Sequence, residues 1–328
     1  MSFSWLRLDE KKLSQQWIFR LAIAIPFTIS FLLCIPLWFE TTFDFSSTGY
    51  AKFLSIFSLP IGVLSLSIPL VAIVAHIHRT IQTEKQIELV NEKNTSDRFY
   101  SHHKYITETF SLIKSNKIKL RDIEIILEIS NPYSLYRDFF PGSSPMSGVD
   151  LYSKDNYSLE ITTPLMSINN VIKETQKHTR DNGHSILYIN KLAINLMTIL
   201  FDISQLQRSL GIKKTEIELT KQYKEILFSE GGIKYKITTY FINENELKNY
   251  LQELYYIIIK VLSLLDIQNK DYYTYLTQYV TKDNNNYFFN VFRQMKKTES
   301  SQPGFSFGKN AYTEDEFKEF SSLPIDLS

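Results

Sequence analysis

Two runs without a single charged residue constrain this chain more than anything else in it. They are Leu21–Phe39 (LAIAIPFTISFLLCIPLWF) and Phe53–Ala75, the latter opening the stretch FLSIFSLPIGVLSLSIPLVAIVAHIHR that ends at Arg79. Each exceeds the roughly 18 apolar residues that mark a spanning helix, and at ~1.5 Å per residue each crosses a hydrocarbon core ~30 Å thick. The mean hydropathy of −0.16 is that of a soluble protein only because the strongly apolar residues concentrate in the first quarter of the chain. Trp17, Trp38 and Phe39 sit at the ends of the first run, where an interfacial aromatic belt is expected. A cleaved signal peptide fits poorly: the n-region is long, no small-x-small site follows, and a second run comes soon after.

Flanking charge orients the pair. Arg7, Lys11, Lys12 and Arg20 precede the first run, and Arg79, Lys85, Lys93 and Arg98 follow the second. The intervening loop Glu40–Lys52 has Lys52 as its one basic residue. Basic residues stay on the cytoplasmic side, so the expected topology is an antiparallel hairpin with both termini cytoplasmic. Phe3–Leu13 (FSWLRLDEKKL) has two open readings, a short amphipathic helix on the membrane surface or a tail without structure.

The remainder reads as helical. The stretch from His76 to Asn116 holds neither proline nor glycine and continues the second span, with a break expected at Asn94–Ser96. Asn131-Pro132 is a turn or a helix start, Tyr133–Phe140 is a short helical piece that Pro141–Pro145 (PGSSP) ends, and an irregular stretch runs on to Leu159. Thr163-Pro164 has the pattern of an N-cap with proline at the first helical position, predicting a helix to Arg180. Further helices are predicted over Ser185–Leu210, capped by Gly211, over Lys213–Ser229, ended by Gly231-Gly232, and over Glu244–Asp266, Asp271–Lys282 and Asn286–Lys297. Lys234–Phe241 alternates like a strand, but a single strand has no partner to pair with, so helix is favoured. The expected fold class is all-α: an N-terminal two-helix transmembrane hairpin followed by a mostly helical cytosolic domain. The expected divisions are 1–16 as N-terminus, 17–79 as hairpin with spans at 21–39 and 53–77, 80–298 as helical domain, and 299–328 as a partly ordered tail.

No catalytic constellation emerges. Cys34 is the one cysteine, which excludes a disulfide-stapled domain. His76 and His78 are two apart and His102 and His103 adjacent, whereas a helix-borne metal pair needs three or four. Gly231-Gly232 lacks the spacing of a phosphate loop. The expectation is therefore a non-enzyme without cofactor or metal. A net charge of +1 excludes a general polyanion binder, although Lys114, Lys117, Lys119 and Arg121 form a local basic cluster. That cluster is the candidate contact for nucleic acid or another partner; as commonly, such a cluster is a solvated face or meets anionic lipid.

The spans offer candidates of another kind. Pro26 and Pro36 interrupt the first, Pro60 and Pro69 the second. Each proline removes a donor and kinks a helix, and in lipid the freed groups need neighbours. Ser58 and Gly62 make a small-xxx-small pair that lets helices approach. These six residues are candidates for gating or packing, including packing between copies in a homo-oligomer; the alternative is a kinked anchor.

Three segments carry a family resemblance. RFYSHHKYITETF (Arg98–Phe110) resembles the basic or aromatic FYxH segment that follows the second span in bacterial two-span phage-defence proteins. SNPYSLYRDFFPG (Ser130–Gly142) resembles an element of retron-associated membrane effectors. The run Asn249–Phe292, with NYLQELYYIIIKVLSLLD, DYYTYLTQYV and NYFFNVF, is similar to the closing helices of phage abortive-infection proteins. The resemblance implies a toxin of the bacterial inner membrane, held silent by a reverse transcriptase with its branched RNA–DNA product. Phage interference would release it to disrupt that membrane and abort the infection. The alternative expectation is a membrane-anchored sensor or scaffold whose cytosolic domain binds a partner.

Overall fold

The computed structural model describes residues 9, 11–121, 123–181, 186–213, 223–267, 273–282, 285–298 and 303–323. The chain forms two compact units, Met1–Thr95 and Ser96–Ser328.

In the first unit a 3-10 turn, Leu13–Gln15, leads into α1 (Trp17–Glu40), followed by α2 (Ser47–Ile56), α3 (Ser58–Ser65) and α4 (Ser67–Leu112). Two helical stretches, Trp17–Glu40 and Ser58–Leu112, are long and apolar enough to cross a membrane. α1 packs along α3. The loop expected over Glu40–Lys52 is shorter, because Ser46 accepts the Gly49 N–H at 3.1 Å and starts α2 well before Phe53. α4 is unbroken over 46 residues, so the break expected at Asn94–Ser96 is absent. Asn and Ser cost at most about 0.7 kcal/mol each in a helix interior, too little to interrupt one this long.

The second unit is mostly helical, as expected, and also carries strands. β1 (Ile118–Leu120) and β2 (Ile123–Ile125) form a small antiparallel ladder. Of the two readings of Asn131-Pro132, the helix start is the one formed, as α5 (Pro132–Phe139): Asn131 Oδ1 accepts the Ser134 N–H at 3.0 Å, with Pro132 at the first helical position. α6 (Lys154–Asp181) and α7 (Ile186–Ser209) pack on each other. The helix expected to begin at Pro164 begins at Lys154 instead, with Pro164 inside it. The reason lies in its buried stripe: Ile161, Leu165, Ile168 and Ile172 run straight past the proline, and burying that seam outweighs one missing hydrogen bond. On α7 the stripe is Ile189, Leu192, Ala193, Leu196, Ile199, Ile203 and Leu206. Gly211 follows at φ +59°, as a helix C-terminal cap requires.

Next comes the main correction. Tyr223–Ser229, expected as the end of a helix, belongs to β3 (Tyr223–Glu230), while residues 214–222 of that expectation lie outside the described residues. β4 (Ile233–Thr239) replaces the helix favoured over Lys234–Phe241. Gly231 and Gly232, at φ +59° and +79°, make the two-residue turn between them, and Glu230 pairs with Ile233. β3 and β4 are the two inner strands of a sheet ordered β5-β3-β4-β6, where β5 is Lys296–Thr298 and β6 is Gly304–Gly308. Tyr223 through Phe228 are all buried. Burial on both faces erases the period-two alternation by which a strand is read.

α8 (Glu244–Leu264), α9 (Thr274–Thr281) and α10 (Phe289–Gln294) complete the core, and β5 ends what was expected as a helix to Lys297. α8 buries Leu247, Tyr250, Leu251, Leu254, Ile257, Ile258, Val261 and Leu262, a continuous helical stripe. In the stretch expected as a tail, β6 pairs with β4 and α11 (Glu314–Ser322) opens with a Thr313/Glu316 capping box.

Candidate functional site

The six span candidates divide by the way they face. Pro26 and Pro60 are buried in the hairpin, while Pro36, Pro69, Ser58 and Gly62 are exposed. Pro26 and Pro36 lie inside a continuous α1. Pro60 and Pro69 are each the third residue of a new helical segment, after single turn residues at Phe57 and Leu66. First-turn amides have no intrahelical acceptor, so a proline there removes no bond. The chain stays close to helical across both joints, with Phe57 N donating to Phe53 O at 2.9 Å and Leu70 N to Leu66 O at 3.3 Å.

The two spans meet at Ser30 and Pro60. Ser30 Oγ donates to the Pro60 carbonyl at 2.8 Å. Ser58 and Gly62 do not make the close approach within the chain. The Ser58 hydroxyl turns back to the Ser55 carbonyl at 3.0 Å, and a Cβ at Gly62 would meet nothing within 4 Å. The other hydroxyls of the spans behave likewise: Thr28 donates to Ala24 O, Ser65 to Gly62 O and Ser67 to Leu64 O, each at 2.7 Å. Only 17% and 11% of the most apolar parts of the two helical stretches are buried by the chain itself, so nearly all their surface is left uncovered within the chain.

At the opposite end of the hairpin from its loop, His78 is buried and its Nε2 sits 2.7 Å from the Lys11 carbonyl. A carbonyl only accepts, so His78 carries its proton on Nε2. Gln16 Nε2 donates to the carbonyls of Asp9 and Lys11 at 3.2 Å each. These contacts fasten residues 9–16 to the second helical stretch. The spacing of His76 and His78 says nothing of this contact, because a backbone acceptor 67 positions away leaves no local signal.

The basic cluster lies on the loop and ladder around β1, and every member faces a carboxylate. Lys114 pairs with Glu128 at 3.1 Å and Lys117 with Glu124 at 2.8 Å. Lys119 stands opposite Glu124 across the ladder. Arg121, at φ +55°, receives Glu246 on its backbone N–H at 2.8 Å and donates from Nη2 to the Tyr240 carbonyl at 2.7 Å. The cluster therefore presents a locally compensated surface rather than a row of bare cations.

Two of the segments that carried the resemblance pack together. His103 and Tyr136 have ring centroids 4.5 Å apart, His102 and Phe140 4.9 Å, and Phe99 and Tyr136 6.5 Å. His102 Nδ1 lies 3.0 Å from Tyr136 Oη. Burial, with His103 and Lys154 adding to it, pulls the His102 imidazole below its ordinary value and favours the neutral ring. Adjacent histidines thus serve one aromatic cluster. Among the described residues no three His, Cys, Asp or Glu side chains gather as metal ligands. His184 and the side chain of His178 lie outside the described residues. Comparison of the chain with family models, curated proteins and solved structures finds no match.

Proposed function

We propose that this chain is a two-pass inner-membrane protein, both termini cytoplasmic, whose hairpin is the working part of a membrane effector of antiphage defence, of retron type. In this reading a partner, a reverse transcriptase with its RNA–DNA product, holds the second unit, and release lets the hairpin associate with further copies and disrupt the bilayer. The observation that carries the proposal is the outward face of the hairpin. A single seam at Ser30 and Pro60 joins the spans, while Ser58, Gly62 and Pro69 point away from it with almost the whole apolar surface uncovered. Small residues on such a face allow close approach between copies. The basic cluster Lys114–Arg121 is the partner contact in this reading, its carboxylates setting which anion can compete.

Expression of the chain without partner genes, followed with a membrane-potential dye, tests this. Loss of potential is expected, blunted by Pro60→Ala with Pro69→Ala; a normal potential at confirmed expression overturns it. A second reading, an anchored sensor or scaffold, is favoured by the span hydroxyls, which donate to their own helices or to the seam. Exchange of both spans for unrelated ones separates the two, since only the scaffold survives it.

A further inference from the structure

The loop between α1 and α2 is folded back tightly. Asp44 Oδ1 accepts the Ser46 N–H at 2.9 Å, Ser46 Oγ accepts the Gly49 N–H at 3.1 Å, and a Cβ at Gly49 would overlap the Asp44 carbonyl. The fold-back frames an open cup of ≈ 650 Å³ against the ends of the two apolar stretches. That is within the range of small-molecule sites, roughly 300–1,000 Å³.

The lining has an unusual makeup. Phe43, Phe45, Tyr50 and Phe53 give it aromatic walls, and Glu40, Asp44 and Lys52 give it two carboxylates and one ammonium. Phe43 and Phe45 stack at 6.4 Å and are 96% and 81% exposed in the chain. Exposure of that degree has a large desolvation incentive to be covered. The Ser46 amide, with Lys52 adding to it, holds the Asp44 carboxyl below its ordinary value, so the acid is charged at neutral pH. Among the described residues none of the three charged groups is held in an ion pair. Aromatic rings with charges of both signs at a span end match one chemistry: a zwitterion at headgroup depth.

We propose that this cup binds the headgroup of phosphatidylethanolamine. Lys52 takes the phosphate, Glu40 and Asp44 accept hydrogen bonds from the primary ammonium, and the rings cover the two methylene carbons between them. The inference rests on the membrane reading above and adds a lipid to it. An anionic headgroup without an ammonium meets two carboxylates in the same space and is disfavoured.

Native mass spectrometry of the detergent-purified full chain, titrated with phosphatidylethanolamine, phosphatidylglycerol and free phosphoethanolamine, tests it. The expected result is about tenfold tighter binding of phosphatidylethanolamine than of phosphatidylglycerol. That preference should vanish in Lys52→Glu and in Glu40→Gln/Asp44→Asn, with far-ultraviolet circular dichroism unchanged. Equal binding of the two lipids, or a preference untouched in both variants, overturns the inference. Free phosphoethanolamine binding as tightly as the lipid overturns the lipid assignment. Carbonate extraction of the same wild-type chain keeps the two failures apart. Release from membranes overturns the membrane reading and this site with it, while retention with equal lipid binding overturns the site alone.

Discussion

Ser30 Oγ and the Pro60 carbonyl, 2.8 Å apart and both buried, are the polar seam of an otherwise apolar hairpin. A short side chain at position 30 brings α1 close to α3, and its hydroxyl finds an acceptor on the partner helix rather than on its own. Hydrogen bonds between spans contribute about 0.6 kcal/mol on average, with some reaching about 1.7.

Ser30→Ala is therefore expected to weaken the hairpin by about 0.5–1 kcal/mol, and Ser30→Leu by more, because the added bulk also separates the helices. Unfolding in sodium dodecyl sulfate, read by tryptophan fluorescence, measures both. An unchanged midpoint in Ser30→Leu would show that the seam is not closed in the membrane.

Glu244 is the second test. Its carboxylate accepts from Tyr279 Oη at 2.8 Å, Tyr287 N at 2.6 Å and Phe288 N at 2.9 Å, tying the start of α8 to α9 and α10. Burial raises its pKa above the ordinary 4.5, although all three donors pull the other way. A raised folded pKa means that the native state holds the proton longer than the unfolded chain. The group's contribution to stability therefore falls as pH rises from 4.5 through the folded value, then levels off. Glu244→Gln should flatten that part of the pH dependence of melting. Glu244→Ala strands three donors and should cost about 2–4 kcal/mol at any pH. Thermal melts between pH 4 and 7 distinguish the two.

The Gly231-Gly232 turn makes a sharper claim about the strands. Both φ values are positive, a region that costs other L-residues about 1–2 kcal/mol. Gly232→Val should lower stability by that amount and Gly232→Asn by less, since Asn tolerates the left-handed region. Equal melting of all three proteins would remove the hairpin.

The capping box of α11 gives a local prediction. Thr313 N donates to Glu316 Oε2 at 2.7 Å, and Glu316 N to Thr313 Oγ1 at 3.2 Å. Thr313→Ala should raise amide exchange across residues 314–322 by the equivalent of about 1 kcal/mol, leaving α8 untouched. The Thr313 amide, chiefly, holds the Glu316 pKa below its ordinary value. Its contribution is thus present above the ordinary carboxylate pKa and lost as pH falls through the lowered one.

What could be read without the fold follows from locality. The uncharged runs, the Gly211 terminus and the helices α7 and α8 are patterns within a few turns of chain, and each emerged close to where expected. β3 and β4 failed the same reading because a strand is defined by its neighbours. β3 lies between β5 and β4, whose partners start 73 and 10 residues downstream of Tyr223 at Lys296 and Ile233, and its two-sided burial hides the alternation. Pro164 shows the converse, a correct local signal overridden by a buried seam.

For the candidate site the division is similar. The sequence by itself determined where the two long apolar stretches lie and that they carry Ser58, Gly62 and four prolines, because hydropathy and residue type are properties of single positions. Only the tertiary structure decided that Ser30 and Pro60 face inward while Ser58 and Gly62 face out, that His78 serves Lys11, and that Lys114 and Lys117 pair with Glu128 and Glu124 while the Arg121 amide holds Glu246. Facing and pairing depend on how helices rotate against one another and on partners distant in the chain, and no local spacing encodes either.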